Sequence, residues 1–145
     1  MDKGLAVFLM AVVGGLIALQ APINAGLGKA TGTFAAALVS FTIGTVALAA
    51  IVILSGKAGG VPDATNVSWY YLLGGLLGAA YVFSALVLVD EIGAGGVAAA
   101  TVTGQLTASV ALDRMGAFGL EQTALTWDRI LGVALLLAGT YLVVR

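Results

Sequence analysis

The sequence has no cysteine and no histidine, and only 9% of its 145 residues are charged. Without cysteine the chain forms no disulfide bond and has no thiol nucleophile. Without either residue type it lacks the usual protein ligands of zinc and haem, and the side chain most used for acid–base catalysis near neutral pH. We therefore expect no cofactor, no metal site and no enzymatic activity.

Charge is scarce in both signs. Six Lys and Arg against seven Asp and Glu give a formal net charge of −1, so there is no electrostatic basis for binding nucleic acid. Hydrophobic residues make up 61% of the chain, whereas in a soluble domain roughly a quarter of the residues are charged. The chain has too little polar surface to cover a globule in water, which predicts an integral membrane protein.

Five apolar segments divide the sequence. They cover residues 5–27, 33–54, 69–89, 94–112 and 128–144. A helix needs roughly 17–25 apolar residues to cross a bilayer. The aromatic residues at 69–71 are typical of an interfacial anchor, and the glycines around Asp90 and Glu91 predict a tight turn between the third and fourth segments. The predicted fold is an all-α membrane domain over residues 1–145 with five transmembrane helices.

The basic residues orient such a domain only weakly. Five crossings put the termini on opposite sides and divide the basic residues four to two, with Lys3, Lys57, Arg114 and Arg129 against Lys29 and Arg145. The excess favours a cytoplasmic N-terminus, but so small a bias is also compatible with insertion in both orientations. We therefore hypothesise dual topology and an antiparallel dimer.

The first segment carries an unusually polar stretch at 19–24. Gln20 and Asn24 are four residues apart, so they share one face of a helix. Pro22 lies between them and frees the carbonyl of Ala18 because it has no N–H. Lipid cannot satisfy these groups, so the face should look into protein or a wet cavity. Two interpretations stay open: a substrate pathway, or a kinked helix whose amides hold it to a neighbour.

Apart from Asp128 and Arg129 at the very start of the fifth, no Asp, Glu, Lys or Arg falls within the predicted spans, so neutral polar residues are the candidates for function. In the fourth span, Thr101, Gln105 and Ser109 follow at four-residue spacing. Asp113 lies one turn beyond, where we expect a solvated helix-end residue paired with Arg114 or Arg129. The predicted substrate-binding residues are Gln20, Asn24, Ser40, Gln105 and Ser109.

Depth in the membrane links the two glutamines. Gln20 and Gln105 each lie past the middle of their spans, and the two spans run in opposite directions. In one protomer they therefore fall in opposite halves of the bilayer. Inverting a second protomer brings Gln20 of one to the depth of Gln105 of the other, near the midplane where transporters of inverted repeats bind substrates.

Small residues at four-residue spacing favour close helix packing in a membrane. Gly74 and Gly78 form a GxxxG motif, Gly44 ends the series Ala36-Ser40-Gly44, and Gly104 pairs with Ala108. We predict helix packing at Gly44, Gly74, Gly78 and Gly104. With 21 glycines in the chain, some such pairs also arise by chance.

Longer motifs point to a family. They are Ala18-Leu19-Gln20-Ala21-Pro22-Ile23-Asn24-Ala25 with Gly28, Val39-Ser40-Phe41 with Gly44-Thr45, Gly74-Gly75 with Gly78-Ala79 and Tyr81, Gly104-Gln105-Leu106 with Ser109 and Asp113, Gly116 with Phe118-Gly119, and Leu131-Gly132-Val133 with Ala138-Gly139. With these motifs the whole chain resembles the drug/metabolite transporter superfamily, and most closely its single-repeat, five-helix YdcZ-type members.

The resemblance implies a multi-pass protein of the bacterial inner membrane. EamA-type relatives fuse two five-helix repeats of opposite orientation, so a single repeat would have to dimerise to match them. Small multidrug resistance proteins do so as antiparallel dimers, but they carry a glutamate in their first helix. This chain has Gln20 and Asn24 there, which argues against proton-coupled export of cations.

The predicted function is a small transporter that moves a neutral or zwitterionic molecule by alternating access through a midplane cavity at a dimer interface. Its predicted partners are a second copy in antiparallel orientation, or an oppositely oriented homologue, together with the lipid bilayer and an unidentified small substrate. The alternatives are a structural or regulatory membrane subunit, and a small channel, for which the polar stripes are short and interrupted.

Overall fold

The computed structural model describes residues 2–145, and these residues form helices and no strands. The four α-helices are α1 (Lys3–Thr31), α2 (Thr33–Leu54), α3 (Leu73–Met115) and α4 (Trp127–Val144). Short 3-10 turns occupy Ala58–Gly60, Pro62–Asn66 and Trp69–Leu72 before α3, and Ala117–Gly119 after it. The prediction of an all-α protein is confirmed for the described residues.

The third and fourth predicted helices both lie within α3, which is 43 residues long. Helical backbone continues through Asp90 and Glu91, and Gly93 alone breaks it, with φ 72° and ψ 165°. A side chain at such a positive φ would be strained, so glycine suits this position. The turn predicted between the third and fourth helices is thus reduced to a break at one residue, Gly93. A straight helix of this length would extend about 65 Å, roughly twice the bilayer core, and its two limbs, 73–92 and 94–115, are each long enough to cross.

The other helices lie close to their predicted ranges. The first is longer than the predicted 5–27, because α1 continues to Thr31 and only Gly32, with φ 85°, separates it from α2. Pro22 lies within the helical backbone of α1. The second spans 33–54, and α4 begins one residue before the predicted 128. With the two limbs of α3, the described residues provide five helical segments.

The chain divides into two compact units. One contains Leu19–Asp90, and the other contains Glu91–Arg145 together with α1 up to Ala18. We refer to them as the first-half unit (19–90) and the second-half unit (the remaining described residues), and each is described by itself.

The first-half unit is packed by apolar and small side chains. Its core consists of Ala36, Val82 and Leu86, with Leu27, Ala37, Phe41 and Tyr81 packed around it. Ala36 has no exposed surface. The rings of Phe34 and Phe83 stack with centroids 4.9 Å apart. α2 and the first limb of α3 therefore pack together without hydrogen bonds between side chains among the described residues.

The second-half unit pairs the second limb of α3 with α4. A Cβ at Gly96 would lie 3.3 Å from Cγ2 of Val144, so the two helices approach closely at this glycine. Val97 beside it is buried. Hydrogen bonds between threonines, described below, join the same two helices farther along.

Large apolar side chains cover much of the outer surface. Phe8, Leu54 and Leu142, for example, are 63%, 87% and 69% exposed. Within residues 2–145, four helical stretches are long and apolar enough to cross a membrane, one of them the 47-residue stretch Trp69–Met115. Such a surface suits lipid, which does not penalise exposed hydrocarbon.

Candidate functional site

The polar stretch of α1 lies on the packed face of the helix. Ala21, Asn24 and Ala25 are its buried residues. A Cβ at Gly28 would lie 3.0 Å from Cδ2 of Leu86. Positions 21, 24, 25 and 28 follow the spacing of one helix face. Asn24 therefore belongs to the contact face of α1, and Gln20, which is half-buried, lies at its border.

Asn24 is only 5% exposed, yet its side chain makes no hydrogen bond within the described part of the chain. No fully enclosed side-chain nitrogen or oxygen in residues 2–145 lacks a partner. The Asn24 amide must therefore keep a narrow opening to the outside of the fold. An amide placed in a packed face with such an opening can receive a ligand or a partner side chain.

Ser40 lies one turn after the fully buried Ala36 on α2, so the two share a face of this helix. Ser40 is half-buried, and among the described residues its hydroxyl has no hydrogen-bond partner. The structure thus places Gln20, Asn24 and Ser40 in the first-half unit. Thr42 and Thr45 on the same helix differ, because their hydroxyls donate to carbonyls one turn back at 2.8 Å.

Gln105 and Ser109 share an exposed face on the second limb of α3. Both lie in the apolar stretch Trp69–Met115, and neither side chain forms a hydrogen bond with any described residue. An amide exposed on a membrane-spanning helix cannot be satisfied by hydrocarbon. This face therefore needs a polar partner from outside the protomer.

A pair of threonines that the sequence did not single out joins α3 to α4. The hydroxyl oxygens of Thr103 and Thr140 lie 2.6 Å apart. The Thr103 hydroxyl also lies 3.3 Å from the Leu136 carbonyl oxygen, and the Thr140 hydroxyl lies 3.1 Å from the Ala99 carbonyl oxygen. Because each hydroxyl has one hydrogen, two of these three contacts are hydrogen bonds at a time. Thr103 is buried, 6% exposed. The sequence shows that Thr103 and Thr107 are four residues apart, but nothing in the sequence relates position 103 to position 140.

The four predicted packing glycines have different surroundings. Gly78 lies against the ring of Phe41, whose Cζ would be 3.4 Å from an added Cβ. At Gly44, Gly74 and Gly104 an added Cβ would meet no described atom within 4 Å. Any helix packing at these three positions would involve a surface outside the protomer. Gly28 and Gly96 make close approaches that spacing alone did not reveal.

Asp113, near the end of α3, forms an ion pair with Arg129, near the beginning of α4. The guanidinium donates to Oδ2 of Asp113 at 3.2 Å and to the Thr123 hydroxyl at 3.3 Å. The two charged side chains are each 36% exposed, which agrees with a solvated helix-end pair. The backbone carbonyl of Asp113 also accepts from the Thr123 N–H at 2.9 Å, so the pair fixes the loop between α3 and α4.

The chemistry available at the candidate residues is hydrogen bonding. Amides and hydroxyls donate and accept but do not ionise near neutral pH. Within residues 2–145 no three metal-ligating side chains lie close enough together to hold an ion. The arrangement suits recognition of polar, uncharged or charge-balanced groups.

Comparison with known proteins identifies relatives. Residues 5–142 match the family described as "Putative inner membrane exporter, YdcZ". The chain is 34% identical over 90 residues to the inner membrane protein YdcZ of Escherichia coli (strain K12), and the aligned stretch covers 62% of this chain and 60% of that protein. The match thus spans less than two thirds of the relative's length. No solved structure matches the chain.

The family match and the apolar helices indicate the membrane in which the protein resides. The matched family is one of the inner membrane and is not a family of enzymes. Four helical stretches in the described residues are able to cross a bilayer. The protein is a multi-pass protein of the inner membrane.

Proposed function

Because this chain belongs to the YdcZ family of drug/metabolite transporters, we propose that it is a small transporter working as an antiparallel homodimer. In this proposal a neutral or zwitterionic molecule crosses by alternating access, through a cavity near the membrane midplane where two protomers meet. The family's description as an exporter supports a transporter-like role.

The observation that carries the proposal is the exposed Gln105. Gln105 lies on an apolar, membrane-spanning limb of α3, and the neighbouring Leu106 is also exposed, at 37%. The Gln105 side chain makes no hydrogen bond with any described residue. A lipid-facing amide would cost a few kcal/mol or more. A second protomer removes this cost if it supplies a polar partner, and inversion brings its Gln20 to the same depth.

The proposed cavity is lined by neutral polar residues. They are Gln20, Asn24, Ser40, Gln105 and Ser109. With no charged side chain in the cavity, an ionic substrate would enter without a counter-charge, which membrane proteins rarely allow. A substrate without net charge follows from this composition.

A structural or regulatory role is the second candidate, and the threonine pair favours it. Thr103 and Thr140 show that polar groups in this chain serve as links between helices. If all the amides serve in the same way, the protein forms helix contacts and moves nothing. Saturable flux with counterflow in vesicles distinguishes a transporter from such a subunit, and unsaturable flux would indicate a channel.

Orientation is the decisive test, and the absence of native cysteine makes it clean. Gly59→Cys marks the loop between α2 and α3, and Ala30→Cys marks the end of α1, on opposite sides of a five-crossing chain. Both positions are exposed, and a Cβ at Gly59 meets no described atom within 4 Å. Each single-cysteine protein is labelled with a membrane-impermeant thiol reagent in intact and in permeabilised cells.

The antiparallel homodimer predicts that each cysteine labels to about half in intact cells, because each protomer orientation presents one of the two marked positions outside. Complete labelling of one cysteine with none of the other would exclude the homodimer. Labelling in permeabilised cells provides the total for both.

A further inference from the structure

A cleft of about 420 Å³ lies in the second-half unit, between the end of α3 and the beginning of α4. Its volume is within the range of roughly 300–1,000 Å³ typical of small-molecule sites. Six of its lining side chains are apolar, and the other two are Thr107 and Arg114. The apolar ones are Val110, Ala111, Met115, Leu125, Ile130 and Val133.

Arg114 is the one charged residue among the described residues that line the cleft. Its guanidinium is exposed and forms neither an ion pair nor a hydrogen bond with the described residues. The adjacent Asp113 does not neutralise it, because that carboxylate is bound by Arg129. Gln122 donates to the Arg114 carbonyl at 2.9 Å and so holds the loop at this end of the helix. The cleft therefore has an available cation at its rim.

The cleft runs from the membrane surface inwards. Arg114 lies in the last turn of α3, and α4 begins at Trp127, a residue typical of the interfacial region. Thr107 is seven residues deeper, which corresponds to about 10 Å along the helix. Its hydroxyl donates to the Thr103 carbonyl at 2.7 Å, so the deep part of the cleft presents mainly hydrocarbon.

We propose that this cleft binds an anionic phospholipid, with the phosphate on Arg114 and an acyl chain along Val110, Ile130 and Val133. The polarity matches such a molecule from end to end: a cation at headgroup depth, then apolar walls toward the bilayer interior. The site is separate from the proposed amide-lined cavity and does not depend on transport.

Trp127 gives a local reporter. The chain has two tryptophans, so Trp69→Phe leaves Trp127 alone, two residues from the cleft-lining Leu125. The protein is reconstituted in mixtures of phosphatidylglycerol and phosphatidylcholine in which one lipid or the other carries brominated chains. The two quenching curves give the relative association of the two lipids at this position.

We expect phosphatidylglycerol to associate about fivefold more strongly than phosphatidylcholine. Arg114→Gln should reduce this preference to near unity, and higher ionic strength should weaken it. Lys57→Gln is the matched control, since Lys57 is an exposed cation in the α2–α3 loop, and it should leave the preference unchanged. Val133→Phe fills the cleft and should reduce quenching by both lipids.

Equal quenching by the two lipids in the Trp69→Phe parent would overturn the proposal. So would an unchanged preference in Arg114→Gln, with gel filtration verifying that the variant is folded. Soluble glycerol phosphate is added as a competitor. If it reverses the quenching preference, the site takes free phosphates rather than a lipid, which also refutes the proposal.

Discussion

The first-half and second-half units join their helices by different means. In the first-half unit, Ala36 is fully buried, Gly28 lies close to Leu86, and apolar side chains fill the space. In the second-half unit, the hydroxyl oxygens of Thr103 and Thr140 lie 2.6 Å apart, and each lies within hydrogen-bond distance of a carbonyl of the opposite helix. In a bilayer there is no hydrophobic force between helices, so close packing and hydrogen bonding are the available sources of association.

The polar residues of the chain fall into two groups, those with a hydrogen-bond partner within the protomer and those without one among the described residues. Thr103 and Thr140 are satisfied within the protomer, whereas Asn24, Gln105 and Ser109 have no hydrogen-bond partner among the described residues. A polar group already bonded to a neighbouring helix is accounted for by structure. The unsatisfied groups are those left for a ligand or for a second protomer.

The largest expected effect concerns the amides of both units. Gln20→Leu and Gln105→Leu should each abolish transport while leaving assembly intact, because each removes hydrogen-bonding groups that the substrate needs. The measurement is counterflow in proteoliposomes of a metabolite that the wild type moves saturably, with assembly followed by cross-linking.

Gln20→Asn and Gln105→Asn keep an amide and should retain part of the flux. If either leucine variant dissociates into monomers, the amides are links between helices and the proposed binding site is refuted.

A second prediction addresses packing in the first-half unit. Leu86→Ala should destabilise the protein by about 2 kcal/mol, since it leaves a cavity beside Ala36 and Val82 that lipid cannot fill. Unfolding in mixed micelles by increasing SDS measures the change. Leu76→Ala is the matched control on the same limb, because Leu76 is 66% exposed and its loss creates no cavity.

Equal stabilities for Leu86→Ala and Leu76→Ala would show that the apolar core of the first-half unit does not hold these helices together.

A third, smaller effect is expected in the second-half unit. Thr103→Val should destabilise the protein by about 1 kcal/mol, the scale of interhelical hydrogen bonds in membranes. Combined with Thr140→Val in a double-mutant cycle, it should show a favourable coupling between the two positions. Thr42→Val is the control, because that hydroxyl bonds only within its own helix.

Additive effects of the two substitutions would contradict a link between Thr103 and Thr140 and would leave the second-half unit held by packing alone.

The sequence by itself determined the class of the protein and the positions of its helices. Apolar length and turn residues are local properties, so the segments 33–54 and 128–144 are readable from composition and spacing. Gly93 breaks α3 within the predicted turn because positive φ favours glycine wherever the helix must stop. The motifs around Gln20 and Gln105 were sufficient to indicate the family.

Only the tertiary structure decided which polar groups are satisfied. Thr103 and Gln105 are two residues apart on one helix, yet one is buried against Thr140 and the other is exposed. Asn24 is buried on the contact face, and Gly28 approaches Leu86, nearly sixty positions along the chain. Burial and hydrogen bonding depend on which distant residues face each helix, and periodicity along one helix contains no information about its neighbour.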